Sequence, residues 1–351
     1  MTEPSTAVDR LLALPDPYAA ITPADDALFE AAMAECDAHH LARNPRYAQL
    51  WHGGERPLLP VGLFKRTDLA TPVDGDGMWL TSSGTSSGTV TRVFFDRASM
   101  ARIQRSMRQI FVHARFVDPR PSNFLLLSPD PASGEHPGYA TWFEKLTCCA
   151  PVHERVFAVD AAGRFQPELA LATLRRWAEG TVPVFLFGRT VFFEQLAANG
   201  GAQIRQRASV RGLTGGDWHG VVKQLERGEI LKRLDALLRP PSLDLRDLFG
   251  LTEHPLHYIS CTRGRFHVPK YARAQIVDET GAPAAPGAPG LIRLSCPLFA
   301  SLPSHDLLTE DRGTWGEGCP CGEPLPYIAY LDHITAPAGT GAPDAGEHAR
   351  T

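Results

Sequence analysis

The order of apolar and polar positions divides the chain into a helical start, a strand–helix middle and a strand-rich end. Residues 24–42 place Leu28, Phe29, Ala32 and Met33 on one helical face, with Asp25 or Asp26 positioned to cap it. Pro57 to Phe64 is an extended apolar lead-in, followed by Lys65 and Arg66. Residues 96–112 read as a second helix. Phe124 to Ser128 is a short apolar run closed by Pro129, as expected of a buried strand, and Val182 to Phe187, closed by Gly188, repeats it. Between them, Pro167 to Gly180 is a helix with Pro in its first turn and Gly at its end. Thr190 to Ala198 is another helix, ended by Gly200 and Gly201. Residues 209–213 form a third strand that opens into Thr214-Gly-Gly-Asp-Trp218, and Val221 to Leu238 is an amphipathic helix stopped by Pro240 and Pro241. This rhythm predicts an α/β fold with a largely parallel sheet flanked by helices.

After residue 250 the texture changes. Residues 256–262, 265–278 and 290–296 read as strands joined by turns, which predicts a smaller β-rich subdomain. Residues 1–20 are rich in Pro and Ala and are expected to be loosely held; residues 336–351 are expected to be a disordered tail. The expected organisation is a helical segment over 1–55, an α/β core over 56–250, the β-rich subdomain over 251–335, and the tail.

Composition narrows the possibilities. A 351-residue chain with 43% hydrophobic and 21% charged residues is that of an ordinary soluble globular protein. A net charge of −4 gives no pull toward nucleic acid or an anionic membrane. No apolar run is long enough to span a bilayer, and Met1-Thr-Glu-Pro-Ser lacks a signal region, so a cytoplasmic protein is expected. The seven cysteines are an odd count and include Cys319-x-Cys321, which points to reduced thiols, a metal or thioester chemistry.

Three stretches carry candidate chemistry. Ten of the twelve residues from Thr81 to Arg92 are Ser, Thr or Gly, between an apolar pair (Met78, Leu80) and a β-like run (Val93 to Phe95). Gly84 and Gly88 permit close backbone approach, so the loop can turn several N–H groups and hydroxyls toward one phosphate. The alternative is a flexible Ser/Gly linker. The stretch is no Walker A loop, because Thr89 stands where the second glycine belongs and no Lys follows. The second stretch is Phe249-Gly-Leu-Thr-Glu253. Its aromatic can stack a purine, its Thr can meet a phosphate and its Glu can hold a divalent cation. Alternatively, Thr252 and Glu253 cap a helix. In the third, Leu308-Thr-Glu-Asp-Arg-Gly313, an Asp in a polar turn can accept both hydroxyls of a ribose, or the segment is a surface turn.

In this order the three stretches resemble the adenylate-forming superfamily. The closer resemblance is to the acyl-protein synthetase (LuxE-type) family, with phenylacetate–CoA ligases as more distant relatives. It is carried by Leu63-Phe64-Lys65, Thr81-Ser-Ser-Gly-Thr85, Thr214-Gly-Gly-Asp-Trp218, Phe249-Gly-Leu-Thr-Glu253, Thr309-Glu-Asp311 and Cys319-Pro-Cys-Gly322, and it spans roughly residues 55–330. The resemblance implies ATP-dependent activation of a fatty or aryl acid to an acyl-adenylate, then transfer to a thiol of a protein cysteine, carrier or reductase protein, or CoA. It implies that Ser83, Gly84, Thr85, Ser86, Gly88 and Arg92 serve the ATP phosphates, with Gly215 and Gly216 in the nucleotide site. Phe249 would flank adenine, Thr252 contact the α-phosphate, Glu253 bind Mg²⁺, and Asp311 bind ribose. Arg92 stands where many relatives carry Lys, and its planar fork can hold two phosphate oxygens.

The chain departs from that pattern in one region. Relatives carry a Gly-Arg hinge about ten residues after the C-x-C-G, where this chain has Tyr330-Leu331-Asp332-His333. Only 18 residues follow, which leads to the expectation that the mobile C-terminal lysine domain is missing and that another cation or a partner serves in its place. Trp142, Phe143, Phe185, Phe187 and Phe192 either line an acyl pocket or belong to the core.

The cysteines leave three readings. Cys261, His267, Cys319 and Cys321 are one imidazole and three thiols at two short-spaced sites, which matches a structural zinc; a similar pattern occurs in phenylacetate–CoA ligase relatives. Otherwise they are free thiols on two turns, or Cys319 or Cys321 is the acyl acceptor. The rivals to an acyl-protein synthetase are an acid–CoA ligase proper and a non-catalytic zinc-binding interaction protein that retains the fold.

Overall fold

The computed structural model describes residues 6–333 apart from residues 53, 82–90, 134–137, 216–226, 255 and 279–280. The first part contains α1 (Ala7–Leu12), α2 (Pro23–Arg43), α3 (Pro45–Leu50), β1 (Leu59–Pro60), α4 (Leu63–Arg66), β2 (Gly77–Thr81), β3 (Arg92–Asp96) and α5 (Arg97–His113). The middle contains β4 (Ser122–Leu127), α6 (Gly138–Leu146), β5 (Val152–Phe157), α7 (Pro167–Trp177), β6 (Val184–Arg189), α8 (Thr190–Ala198), β7 (Val210–Gly215), α9 (Arg227–Leu238) and β8 (Leu243–Phe249). The rest contains β9 (Tyr258–Ile259), β10 (Phe266–His267), β11 (Arg273–Val277), β12 (Gly290–Ser295), β13 (Asp306–Gly316) and β14 (Tyr327–His333).

The middle forms one sheet in the order β5-β4-β6-β7-β8-β9. The pairings from β5 to β8 are parallel, and β9 turns back antiparallel on β8. β4 is buried at every position because both faces are covered. Its Phe124 and Leu126 join one apolar cluster, while Leu125 and Leu127 join another on the opposite face. Phe124 stacks on Phe185 at 5.1 Å, and Phe187 packs beside them. These rings are fully buried, and Phe143 and Phe192 are also buried; the side chain of Trp142 lies outside the description. β5 and β6 flank β4 on opposite sides, so the strand order reverses there. In such sheets ligands bind beyond the carboxyl ends of the strands.

The second sheet has the order β10-β14-β13-β12-β11 and is antiparallel, with β1 added parallel to β13. β2 and β3 form a separate antiparallel pair that brackets the Ser/Gly stretch. The architecture is the expected mixed one, a parallel sheet flanked by helices beside a smaller β-rich part. Sheet membership crosses residue 250 in both directions, since β1 lies in the second sheet and β9 in the first. No helix of the described residues is long and apolar enough to cross a membrane.

Several local expectations need correction. Residues 256–262 supply only the two-residue β9, and 265–278 supply two separate strands, β10 and β11. The cap of α2 is Thr22, whose hydroxyl accepts from the Asp25 N–H while the Asp25 carboxylate accepts from the Thr22 N–H. The first twenty residues are not loosely held throughout. Ala7, Val8, Leu11 and Leu12 of α1 are buried, the Ala7 N–H donates to the Glu35 carboxylate, and Arg102 of α5 pairs with Asp9 at 3.1 Å. The expected tail, residues 336–351, lies outside the described residues. Leu11→Ala should therefore cost about 2–5 kcal/mol of unfolding free energy, the range for a buried leucine. An unchanged urea midpoint would show that α1 is not docked in solution.

Candidate functional site

The site forms where the carboxyl end of β8 meets the second sheet. Phe249 closes β8 opposite Tyr258 of β9. Its ring sits among Tyr258, Phe266 and Tyr330, with centroids 6.0, 5.7 and 5.8 Å away. The chain then makes a tight bend in which the His254 N–H donates to the Leu251 carbonyl at 3.2 Å. Thr252, half-buried, and Glu253, buried, ride on this bend, so they cap no helix.

Oε1 of Glu253 has no hydrogen-bond partner among the described residues. Burial pushes its carboxyl above the ordinary value, while the Thr91 hydroxyl and the Lys65 charge pull the other way. Thr91 lies near the end of the Ser/Gly stretch, so Glu253 reaches the end of that loop. Lys65, on α4, is 3.4 Å from Glu310.

Asp311 lies inside β13 rather than in the polar turn read from the sequence. Its Oδ1 accepts from Nδ1 of His333 at 3.1 Å and from the Tyr330 hydroxyl at 3.4 Å. Its Oδ2 is buried without a partner among the described residues. Nε2 of His333 is 3.8 Å from Glu310. A set of contacts thus runs from Phe249 through Tyr330, Asp311, His333 and Glu310 to Lys65, whose charge in turn acts on the Glu253 carboxyl. Of the expected residues, the structure brings Phe249, Glu253 and Asp311 into it, with Thr252 adjacent. Lys65, Glu310, Tyr330 and His333 belong to it too, although no role was read for them from the sequence; the nearest signals were Lys65 inside Leu63-Phe64-Lys65 and Glu310 inside Thr309-Glu-Asp311.

Gly215 ends β7, next to β8. The Arg92 guanidinium lies over the exposed ring of Trp79, 5.0 Å from its centroid. Ser83, Gly84, Thr85, Ser86, Gly88 and Gly216 lie outside the described residues.

Cys261, His267, Cys319 and Cys321 form a second constellation, their ligand atoms all within 4.8 Å of one another. Two tight turns carry the thiols. The Gly264 N–H donates to the Cys261 carbonyl, and the Gly322 N–H to the Cys319 carbonyl. Gly264 and Gly322 have φ of 70° and 92°, a region costly for other residues. Pairing of His267 with Tyr327 brings the two turns together. Nδ1 of His267 is 3.0 Å from the Leu325 carbonyl, an arrangement in which Nδ1–H donates and Nε2 is left for a ligand. The four donors can hold one metal ion.

A crevice of about 510 Å³ lies elsewhere, between α2 and β11–β12. Its guanidiniums are already neutralised, Arg56 by Asp37, Arg273 by Asp26 and Arg293 by Asp306.

The raised Glu253 pKa has a consequence for stability. A carboxyl with a raised folded-state pKa leaves the fold most stable below its ordinary value of 4.5. Stability falls as pH rises through the raised value. Without nucleotide or magnesium, Glu253→Gln should raise the denaturation midpoint at pH 8 and lose that advantage as pH falls toward 4.5. A midpoint no higher than that of the unsubstituted protein at pH 8 would contradict the burial of an ionised Glu253.

The comparisons with known proteins agree with this architecture. The family model for LuxE acyl-protein synthetases matches residues 52–345. No curated protein matches the sequence. Among solved structures, 2-hydroxyisobutyryl-CoA ligase in an open conformation, in complex with 2-HIB-AMP and CoA, has a TM-score of 0.64 at 13% identity, covering 88% of this chain and 74% of that one. The same ligase in its postadenylation state, with 2-HIB-AMP, gives 0.61 at 14% identity, covering 88% and 68%. A long-chain-fatty-acid-CoA ligase from Archaeoglobus fulgidus gives 0.52 at 12% identity, covering 73% of this chain and 51% of that one. These likenesses show the fold of the adenylate-forming enzymes. With the family match extending over most of its length, the chain belongs to the LuxE acyl-protein synthetase family.

Proposed function

We propose that the protein activates a carboxylic acid, fatty or aryl, with ATP and passes the acyl group to a thiol. The observation that carries the reading is two buried carboxylate oxygens with no hydrogen-bond partner among the described residues, Glu253 Oε1 just past the carboxyl end of β8 and Asp311 Oδ2 in β13. A buried carboxylate oxygen without a partner is costly unless a ligand satisfies it. A divalent cation on Glu253 and ribose hydroxyls on Asp311 would do so.

In this reading the substrate carboxylate attacks the α-phosphorus of ATP. The bond to the bridging oxygen breaks and pyrophosphate leaves with its electron pair. A thiolate then attacks the acyl carbonyl and AMP departs. Magnesium would neutralise phosphate charge during the first step. Phe249, fixed by three neighbouring rings, gives the purine a rigid wall, and Thr252 faces the α-phosphate. Ser83, Gly84, Thr85, Ser86 and Gly88 hold the phosphates, Gly215 and Gly216 border the nucleotide, and Arg92 joins the phosphates from the hairpin. Lys65 adds positive charge near Glu253. The acceptor is CoA or a thiol on a carrier or reductase protein.

For the Cys/His cluster we propose one structural zinc. Zinc arms of about 2.3 Å place tetrahedral sulfurs roughly 3.8 Å apart. The Cys261 and Cys319 sulfurs are 3.9 Å apart, and the Cys321 sulfur is 3.2 Å from His267 Nε2. Four such donors leave no open position, so these thiols are not free to accept an acyl group.

Two measurements test these readings. A panel of fatty and aryl acids should include one that supports exchange of labelled pyrophosphate into ATP, and Glu253→Gln should lower that exchange by about 100-fold or more with the fold intact. Absence of acid-dependent exchange across the panel would remove the enzyme reading, and normal exchange in the variant would remove Glu253. Protein purified without chelator should carry about one zinc per chain, and strong chelation should lower its melting temperature. An acyl thioester on Cys319 or Cys321 after incubation with ATP and acid, in zinc-free protein, would replace the structural metal with the acceptor reading.

A further inference from the structure

We propose that His333 is a positioning residue for the nucleotide. Its imidazole pins Oδ1 of Asp311, so that Oδ2 is the oxygen presented to ribose hydroxyls. The inference rests on the reading of Asp311 as the ribose ligand.

An aspartate side chain has two equivalent oxygens and a broad, two-fold final torsion. Something must break that symmetry if one oxygen is to serve a ligand. Here both donors sit on Oδ1, with His333 the closer at 3.1 Å and Tyr330 at 3.4 Å. Oδ2 is left buried and without a partner among the described residues. On the far side of His333, Nε2 lies 3.8 Å from Glu310, which is 3.4 Å from Lys65.

The strand register supports a built arrangement. From Gly316↔Tyr327 to Gly313↔Tyr330, β13 and β14 pair in one register. Continued, that register would set Asp311 opposite Asp332, two like charges face to face, which is destabilising. A bulge intervenes between Arg312 and Gly313. Leu331 is the extra residue, about half exposed. Beyond it Asp311 pairs with His333 and Arg312 with Asp332, the latter as an ion pair at 3.4 Å. Gly313 permits the local crowding, since a Cβ there would lie 3.0 Å from the Ala329 carbonyl oxygen.

The test is calorimetric binding of Mg·ATP and of Mg·2′,3′-dideoxy-ATP, which lacks the ribose hydroxyls. The unsubstituted protein should prefer ATP by about tenfold or more, the scale of a charge-assisted hydrogen bond. His333→Phe, which keeps a ring and loses the donor, should weaken ATP binding by about that factor, leave the dideoxy nucleotide unchanged and so abolish the preference. His333→Asn, whose amide can donate from nearly the Nδ1 position, should restore it to within about threefold. Should the Phe variant lose its fold by circular dichroism, His333→Ala carries the same comparison. Asp311→Asn runs in parallel. If it abolishes the preference while the His333 variants keep it, the positioning role is wrong and Asp311 stands. If it leaves the preference intact, or the unsubstituted protein shows none, the ribose reading fails and the inference with it.

Discussion

Two buried carboxylates, Glu253 and Asp311, each with one oxygen left without a partner among the described residues, set the demands that the rest of the structure meets. Each such oxygen costs about 1–3 kcal/mol in a fold whose net stability is small. The cost is borne by what surrounds them. Phe249 is locked among three aromatic rings, and the bend after it is closed by its own backbone hydrogen bonds. β13 runs for eleven residues between β12 and β14, and Asp311, where the β12 register shifts, is held by its pairing with His333 of β14. A site that is costly when empty and satisfied when filled gives its ligand more binding energy than a relaxed one.

The parts of the fold legible in the sequence are those whose burial is two-sided. β4 and β6 read as unbroken apolar runs because helices cover both faces of the sheet. β5 escaped notice because it is an edge strand whose Val-His-Glu-Arg-Val-Phe run is largely half-exposed or exposed. β8 escaped because Asp244 and Arg246 interrupt its apolar positions; in the fold they pair with each other, and Arg246 also donates to the Ser260 carbonyl. β13 was hidden by its own chemistry. Thr309-Glu-Asp311 looks like a polar turn, yet Thr309 and Asp311 face inward while Glu310 faces its ion-pair partners. The site divides in the same way. Phe249, Glu253 and Asp311 stand in recognisable local motifs. Tyr330 and His333 join them only through cross-strand register, which no local pattern displays.

The Cys/His cluster and the proposed nucleotide site share one structural part, β14. At its first residue β14 pairs with His267, one of the four candidate metal donors; at its last it pairs with Asp311. The six steps between them span about 20 Å, too far for a metal charge to act directly on ribose binding through solvent at physiological salt. What a metal ion can transmit over that length is position. β10 is only two residues long and would hold the start of β14 weakly on its own. An ion held by both cysteine turns and His267, as proposed above, would remove that freedom. Because a slip of one residue would turn His333 to the opposite face, a metal that takes no part in the chemistry can still decide whether Asp311 meets its partner.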